Sequence, residues 1–273
     1  MTLPRLVVAA AASSAGKTTI ATGLMAAFTA RGYQVAGFKV GPDFIDPGYH
    51  ALATGRPGRN LDPVLTSERL VPALFRHGMQ TGSPTPARLA IIEGVMGLFD
   101  GRLGSDGFGS TAHVARLLSA PVLLVVDAAG SSRTAAAAAL GVRDFDRRLN
   151  VAGVIVNRVA SARHGAELAR VFEAATLPVL GIVPRTGRVV APSRHLGLVP
   201  AAERHESSAT IDALAEHLAT HVDLAAVADL AAAGTRPGRL ALAARRCRHA
   251  GRRVADGRGA GRTSLHLSLC RDH

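Results

Sequence analysis

An apolar run, Leu6-Val7-Val8-Ala9-Ala10, passes directly into Ala11-Ala12-Ser13-Ser14-Ala15-Gly16-Lys17-Thr18-Thr19, and a helical pattern begins at once. Few folds accept that order of strand, small-residue loop, lysine, hydroxyl and helix. Small residues let the loop's backbone N–H groups close around phosphate oxygens, and the helix start adds a dipole worth about 0.3–1 kcal/mol per charge. Lys17 brings a mobile positive charge for β and γ phosphates, and the Thr18 hydroxyl is placed to ligate Mg2+. One residue departs from the pattern G-x-x-x-x-G-K-[ST]: Ala11 stands where the first glycine is expected. If that position needed a positive φ, its methyl group would cost about 1–2 kcal/mol.

The rest of the chain repeats the theme. Runs rich in Val and Ile recur at Leu6–Ala10, Gln34–Lys39, Leu89–Glu93, Val122–Asp127, Val151–Val156 and Val179–Val183. Between them lie stretches of helical composition: Lys17–Arg31, Ser110–Leu118, Arg133–Gly141, Ala162–Ala174 and Ser207–Thr220. Continuous rather than alternating apolar strands, separated by helices, predict an α/β fold in three layers: a mainly parallel sheet covered on both faces. Ligands then belong at the carboxyl ends of the strands.

Composition narrows the surroundings. The two cysteines, Cys247 and Cys270, offer neither a disulfide framework nor metal-ligand spacing, which fits a reducing, cytoplasmic setting. The start imitates a signal peptide, but cleavage at its small residues would sever the phosphate loop from its strand. Apolar runs such as Ala120 to Ala129 fall short of the ~20 residues a membrane span needs. The net charge of +12 sits mostly at the end, where ten arginines follow Thr235 against only Asp256 and Asp272. No aromatics are interleaved among them, which argues against a nucleic-acid surface. Periodicity is also lost near Gly234, so residues 1–233 are expected to form one domain and residues 234–273 an irregular basic tail.

Two acidic stretches could serve a magnesium–nucleotide site, which wants one or two carboxylates with water and phosphate filling the octahedron. The first is Lys39-Val40-Gly41-Pro42-Asp43-Phe44-Ile45-Asp46-Pro47, after the second strand. Its prolines disfavour helix at Gly41 and Asp46, so Asp43 and Asp46 are expected on a stiffened loop. In the second, Ile91-Ile92-Glu93-Gly94, a carboxylate ends a buried strand and a glycine follows. Lys39, closing a strand beside Gly41, is a candidate to steady a transferring phosphoryl group. Ordinary turn chemistry remains the alternative for the two aspartates, and a surface position for Lys39.

These residues resemble a known family. Phe38-Lys39-Val40-Gly41-Pro42-Asp43-Phe44-Ile45-Asp46-Pro47-Gly48-Tyr49-His50, the Arg59-Asn60-Leu61-Asp62 step, Ile92-Glu93-Gly94-Val95-Met96-Gly97-Leu98-Phe99-Asp100-Gly101, Gly109-Ser110-Thr111-Ala112 and Ser193-Arg194-His195-Leu196-Gly197-Leu198 are similar, in order and spacing, to signatures of cobyrinic acid a,c-diamide synthases, including the hydrogenobyrinic variant. The resemblance implies a P-loop NTPase fold of the dethiobiotin synthetase-like type. It implies ATP and Mg2+ as cofactors, a corrinoid polycarboxylate as substrate, and phosphorylation of its a and c carboxylates before ammonia attacks, in cobalamin biosynthesis. Ser14, Ala15, Gly16, Lys17, Thr18 and Thr19 would cradle ATP. Asn157 matches a position that meets adenine in relatives, or is a simple strand-end asparagine. Thr18, Asp43 and Glu93 would hold the metal; Lys17, Lys39, Asp43 and Asp46 would act in catalysis. Tyr49, His50, Asn60, Asp62, Ser110 and Arg194 would line the substrate end.

Family members continue into a class I glutaminase domain that supplies ammonia. Here Arg239-Leu240-Ala241-Leu242-Ala243-Ala244 resembles its first strand, and from Arg245 the likeness collapses into Arg-rich sequence. Cys247 and His249 are too close in sequence to form a hydrolytic pair. The expectation is a frameshift or early stop upstream of the glutaminase. Activity would then be ammonia-dependent or impaired, with free ammonia, a separate glutaminase or a second copy of the chain as partners. Two other readings are an inactive nucleotide-binding remnant and a partitioning-type ATPase switch. Against the switch, Ala11 and Ala12 occupy the region where such proteins carry a lysine.

Overall fold

The computed structural model describes residues 3–185 and 204–233, with only the backbone course of the helix at 204–207. Expectations for Arg194 and for the tail at 234–273 lie outside the described residues. Seven strands form one sheet: β1 (Arg5–Ala10), β2 (Val35–Val40), β3 (Arg59–Leu61), β4 (Leu89–Glu93), β5 (Val122–Asp127), β6 (Val151–Val159) and β7 (Val179–Pro184). Their order is β3-β2-β4-β1-β5-β6-β7, and every pairing between them is parallel. The helices among the described residues are α1 (Lys17–Ala30), α2 (Asp46–Thr54), α3 (Val71–Gln80), α4 (Thr111–Leu117), α5 (Arg133–Phe145), α6 (Ala162–Ala174), α7 (Arg204–His221) and α8 (Leu224–Ala233).

Alternation along the strands builds two cores, one on each face. Val7 and Ala9, Phe38 and Val40, and Ala90 and Ile92 face α3, α4, α5 and α6. Leu6, Val8, Ala10 and Ile91 face α1, α2, α7 and α8. Close approach is bought with glycine: a Cβ on Gly23 of α1 would lie 2.9 Å from Leu218 Cγ of α7, and one on Gly78 of α3 only 2.6 Å from the Phe38 ring.

The topology decides where a ligand can sit. The helix after β1 covers one face and the helix after β4 covers the other, although the two strands are neighbours. Connections that leave adjacent parallel strands toward opposite faces open a crevice at their carboxyl ends. The phosphate loop leaves one lip of that crevice, and Glu93 ends the other.

All six expected strands and all five expected helices are present, α5 running on past Gly141 to Phe145. The expected stiff loop at Asp43–Asp46 is corrected in part, because Asp46 is the first residue of α2. Pro47 lacks an N–H that the first turn would leave unpaired anyway, so a proline there starts a helix rather than blocking it. Asp43 stays in the loop, and its Oδ1 accepts from the N–H groups of Ile45 and Asp46 at 2.8 and 3.0 Å.

Phe38 has no exposed surface and stacks on Phe75 at a centroid distance of 5.2 Å. Phe38→Ala should therefore cost about 3–5 kcal/mol, read in urea as a lower midpoint with an unchanged slope.

Candidate active site

The loop between β1 and α1 carries the geometry of an anion cradle. Ser14 (φ 64) and Gly16 (φ 95) are left-handed, while Ala11 is not among the positive-φ residues. The methyl group in place of the usual first glycine is thus unstrained. The N–H groups and hydroxyls of Ser13 and Ser14 make no hydrogen bond to any described residue, leaving donors for a ligand. Gly16 has a second reason to be glycine: a Cβ there would lie 2.3 Å from Asn157 Nδ2. Asn157, at the end of β6, donates from Nδ2 to the Ala15 carbonyl (2.9 Å) and accepts at Oδ1 from the Arg158 N–H (2.9 Å). Its amide braces the phosphate loop against the sheet.

Lys17 is buried, and its ammonium donates to the carbonyls of Ala12 (3.0 Å) and of Met96, a left-handed residue (φ 49) in the loop after β4. Desolvation, then the charge of Lys39, holds its pKa below the ordinary lysine value, against the opposing pull of Glu93, Asp100 and Asp46.

Glu93 is the centre of the arrangement and has no exposed surface. Parallel register sets Lys39 of β2 directly beside it. Glu93 Oε1 accepts from Thr18 Oγ1 at 2.5 Å and from Lys39 Nζ at 2.9 Å, while Oε2 lies 2.8 Å from His50 Nε2. Lys39 also reaches Asp46 Oδ2 at 2.5 Å and the Gly94 carbonyl at 3.2 Å. Burial by itself would push the Glu93 carboxyl up, but the hydrogen bond from His50, the charges of Lys39 and His50 and the Thr18 hydroxyl outweigh it and hold it down at about 2. Asp46 goes the other way. Burial and the nearby Glu93 charge push it up to about 6 despite Lys39.

The residues Lys17, Thr18, Lys39, Asp46 and Glu93 lie together at the β1/β4 crevice, with Ser14, Ala15, Gly16 and Thr19 in the loop and helix start beside them. Other expected site residues are engaged differently. Asp43 makes no bond to Thr18 or Glu93; one oxygen fastens the start of α2, and its carbonyl accepts from Asn60 Nδ2 at 2.7 Å. His50 has no exposed surface and Tyr49 packs into the core under α2, so the structure corrects both as open substrate-lining groups. Asp62 spends its carboxylate on the N–H groups of Val64 (2.7 Å) and Leu65 (3.3 Å). Ser110 caps α4 by accepting from the His113 N–H at 3.1 Å. In short loops, acids and hydroxyls of this kind are readily spent on backbone donors.

Sequence reasoning missed Asp100. Its Oδ2 accepts from the Gly97 N–H at 2.9 Å, and its charge acts on Lys17. The signal was its place at the end of the glycine-rich stretch after Glu93. Also missed was an apolar rim of exposed Phe44, Leu65, Met96 and Leu103 on the loops that follow β2, β3 and β4.

No cluster of three or more His, Cys, Asp or Glu among the described residues is arranged to hold a metal by itself. A hydroxyl and one carboxylate side by side, Thr18 and Glu93, are the donor set that Mg2+ uses when phosphate and water complete its shell. Free loop donors and a lysine resting on two carbonyls complete the fit to a magnesium–nucleotide. Among the described residues no helix is long and apolar enough to cross a membrane.

Residues 6–199 match the family model described as the CobQ/CobB/MinD/ParA nucleotide binding domain. The chain is 58% identical, over 84% of its length and 48% of the relative's, to a hydrogenobyrinate a,c-diamide synthase of Thermobifida fusca. It is 43% identical, over 85% of its length and 49% of the relative's, to a cobyrinate a,c-diamide synthase of Dehalococcoides mccartyi. The chain thus spans about half the length of the curated relatives it matches. Among solved structures, chloroplast FtsY from Physcomitrella patens superposes with a TM-score of 0.51 at 18% identity, covering 78% of this chain and 66% of that one, a likeness of fold alone.

The two acids should titrate apart. Glu93, depressed from 4.5 to about 2, favours the fold fully above its unfolded value, and that contribution is lost as pH falls through the window. Asp46, raised from 3.8 to about 6, favours the fold at low pH, and its contribution is lost as pH rises through that window. Lys39→Met removes the positive charge both depend on, so carbon-13 NMR of the carboxyls should show both titrations moving upward.

Proposed function

Because the chain belongs to the CobQ/CobB/MinD/ParA nucleotide-binding-domain family, we propose that it binds ATP with Mg2+ and phosphorylates the a and c side-chain carboxylates of hydrogenobyrinic acid or its cobalt-containing counterpart, for amidation by ammonia. The observation that carries this reading is the Thr18–Glu93–Lys39–Asp46 constellation beside the phosphate loop, with Glu93 and Lys39 buried at its centre. The greater identity to a hydrogenobyrinate enzyme than to a cobyrinate one favours the metal-free corrinoid.

A carboxylate is a poor electrophile; transfer of the γ-phosphoryl group from magnesium–ATP makes it a mixed anhydride, and ammonia then displaces phosphate to leave the amide. For the chain's own residues the task is positioning and charge neutralisation. The donors of Ser13 to Thr19 hold the phosphates. Lys17 exchanges its carbonyl partners for phosphoryl oxygens. Thr18 and Glu93 hold the metal, and Asp43 keeps one oxygen free to join them. Lys39 sits where charge accumulates in transfer, with Asp46 beside it to take up a proton from the attacking ammonia. The apolar rim of Phe44, Leu65, Met96 and Leu103 suits the flat face of a macrocycle whose carboxylates reach the polar centre. Asn157 closes the far side of the loop, where adenine would lie.

Purified protein with ATP, Mg2+ and hydrogenobyrinic acid should form amides, followed by mass, when ammonia is supplied. Lys17→Ala should lower the rate by about 100-fold or more. Nucleotide binding without amide formation would instead mark an inactive remnant, and ATP hydrolysis indifferent to corrinoid would favour a nucleotide-controlled switch.

A further inference from the structure

His50 is a buried ionisable group at this site to which the reaction assigns no task. It has no exposed surface, so it touches no substrate. Its Nε2 faces Glu93 Oε2 at 2.8 Å, whereas Nδ1 is buried without a partner. A buried imidazole with one unsatisfied nitrogen is costly against an apolar side chain of similar size, so the bond it does make must carry the reason for its presence.

The surroundings are cut to fit that ring. Gly37 lies on β2 two residues before Lys39, on the same face, and a Cβ there would be 2.7 Å from His50 Cβ and 3.2 Å from its Cγ. The strand is thinned at the position where a side chain would push the imidazole away. From the other side, Thr54 donates its hydroxyl to the His50 carbonyl at 2.7 Å, tying down the turn of α2 that carries the ring.

The effect falls on Glu93. The terminal torsion of a glutamate is broad, so a carboxylate facing two donors on one side can turn and share its oxygens between them. His50 removes that freedom by holding Oε2 toward α2, which leaves Oε1 toward Thr18 and Lys39. We propose that His50 is a positioning residue, seated against Gly37, that orients Glu93 for Mg2+ and thereby sets the magnesium-dependent part of nucleotide affinity. This rests on the reading of the site as a magnesium–nucleotide site. Partners that orient a metal-ligating group typically carry about 10–100-fold in metal affinity.

The test is calorimetric binding of a non-hydrolysable ATP analogue to the full chain, once with Mg2+ and once with EDTA, the ratio of the two affinities being the readout. In His50→Ala the affinity in EDTA should stay within about twofold of wild type while the magnesium enhancement falls about 10–100-fold. His50→Gln, whose amide nitrogen can reach the position of Nε2, should keep most of the enhancement; His50→Asn, one methylene shorter, should lose it. Gly37→Ala should lose it as well, by displacing the ring with His50 intact. The Gln and Asn pair decides the matter if the alanine variant does not fold. Wild-type enhancement in His50→Ala, equal loss in the Gln and Asn variants, or loss of affinity in EDTA to the same degree would overturn the proposal. A wild-type chain that binds the analogue no better with Mg2+ would overturn the magnesium–nucleotide reading along with it.

Discussion

A carboxylate with no exposed surface at the end of a central strand sets the terms for everything around it. Taking such a charge out of water costs several kcal/mol unless donors replace its hydration. Glu93 receives them from α1, β2 and α2 through Thr18, Lys39 and His50. That supply depends on the strand order. Only with β4 between β2 and β1 does Lys39 fall in register beside Glu93 while the helix following β1 presents its first hydroxyl from the other flank. The fold and the charge are mutually dependent, since the crevice at this switch in connection direction is also where the phosphate loop ends.

Glu93 and Asp46 share one lysine and yet part company. Glu93 has three donors on its two oxygens and is held ionised; Asp46 has Lys39 but faces the Glu93 charge in a partly desolvated place, and its proton is held to about pH 6. Environments that push two titratable groups apart separate their roles. A permanently charged acid suits holding a metal, and an acid that exchanges its proton near neutrality suits handling one. The intrinsic acidities of the two side chains would order them the other way; the difference comes from Thr18 and His50 serving one acid alone.

Much of this was legible because the periodicities were strong. Continuous Val and Ile runs marked six strands, and a glutamate ending one of them, next to a glycine, marked the metal side of the crevice. What escaped did so for physical reasons. β3 is three residues long, too short for any period, and α3 starts at Val71-Pro72, where a proline reads in composition as loop. Asp46 looked like a loop acid because a following proline disfavours helix, yet proline is at home in a first turn, and Asp43 supplied the bonds that the backbone there needed. His50, Asp62 and Ser110 were readable as polar residues at the right distance in sequence. Their engagement with Glu93, with backbone donors and with a helix cap is a matter of three-dimensional pairing that no spacing expresses.

The phosphate loop shows why spacing and residue type must be weighed separately. Its first glycine is absent, but positive φ, one of the two demands that call for glycine, falls here on Ser14 and Gly16 rather than on Ala11. A serine tolerates that conformation at a cost the surrounding structure can hold. Gly16 could not be replaced so easily, since it also gives way to the Asn157 amide that ties the loop to β6. The irreplaceable glycine is thus the one beside the lysine, fixed by a contact with a residue far along the chain. The first position of the pattern, free of that contact and of positive φ, can drift to alanine while the cradle keeps its shape.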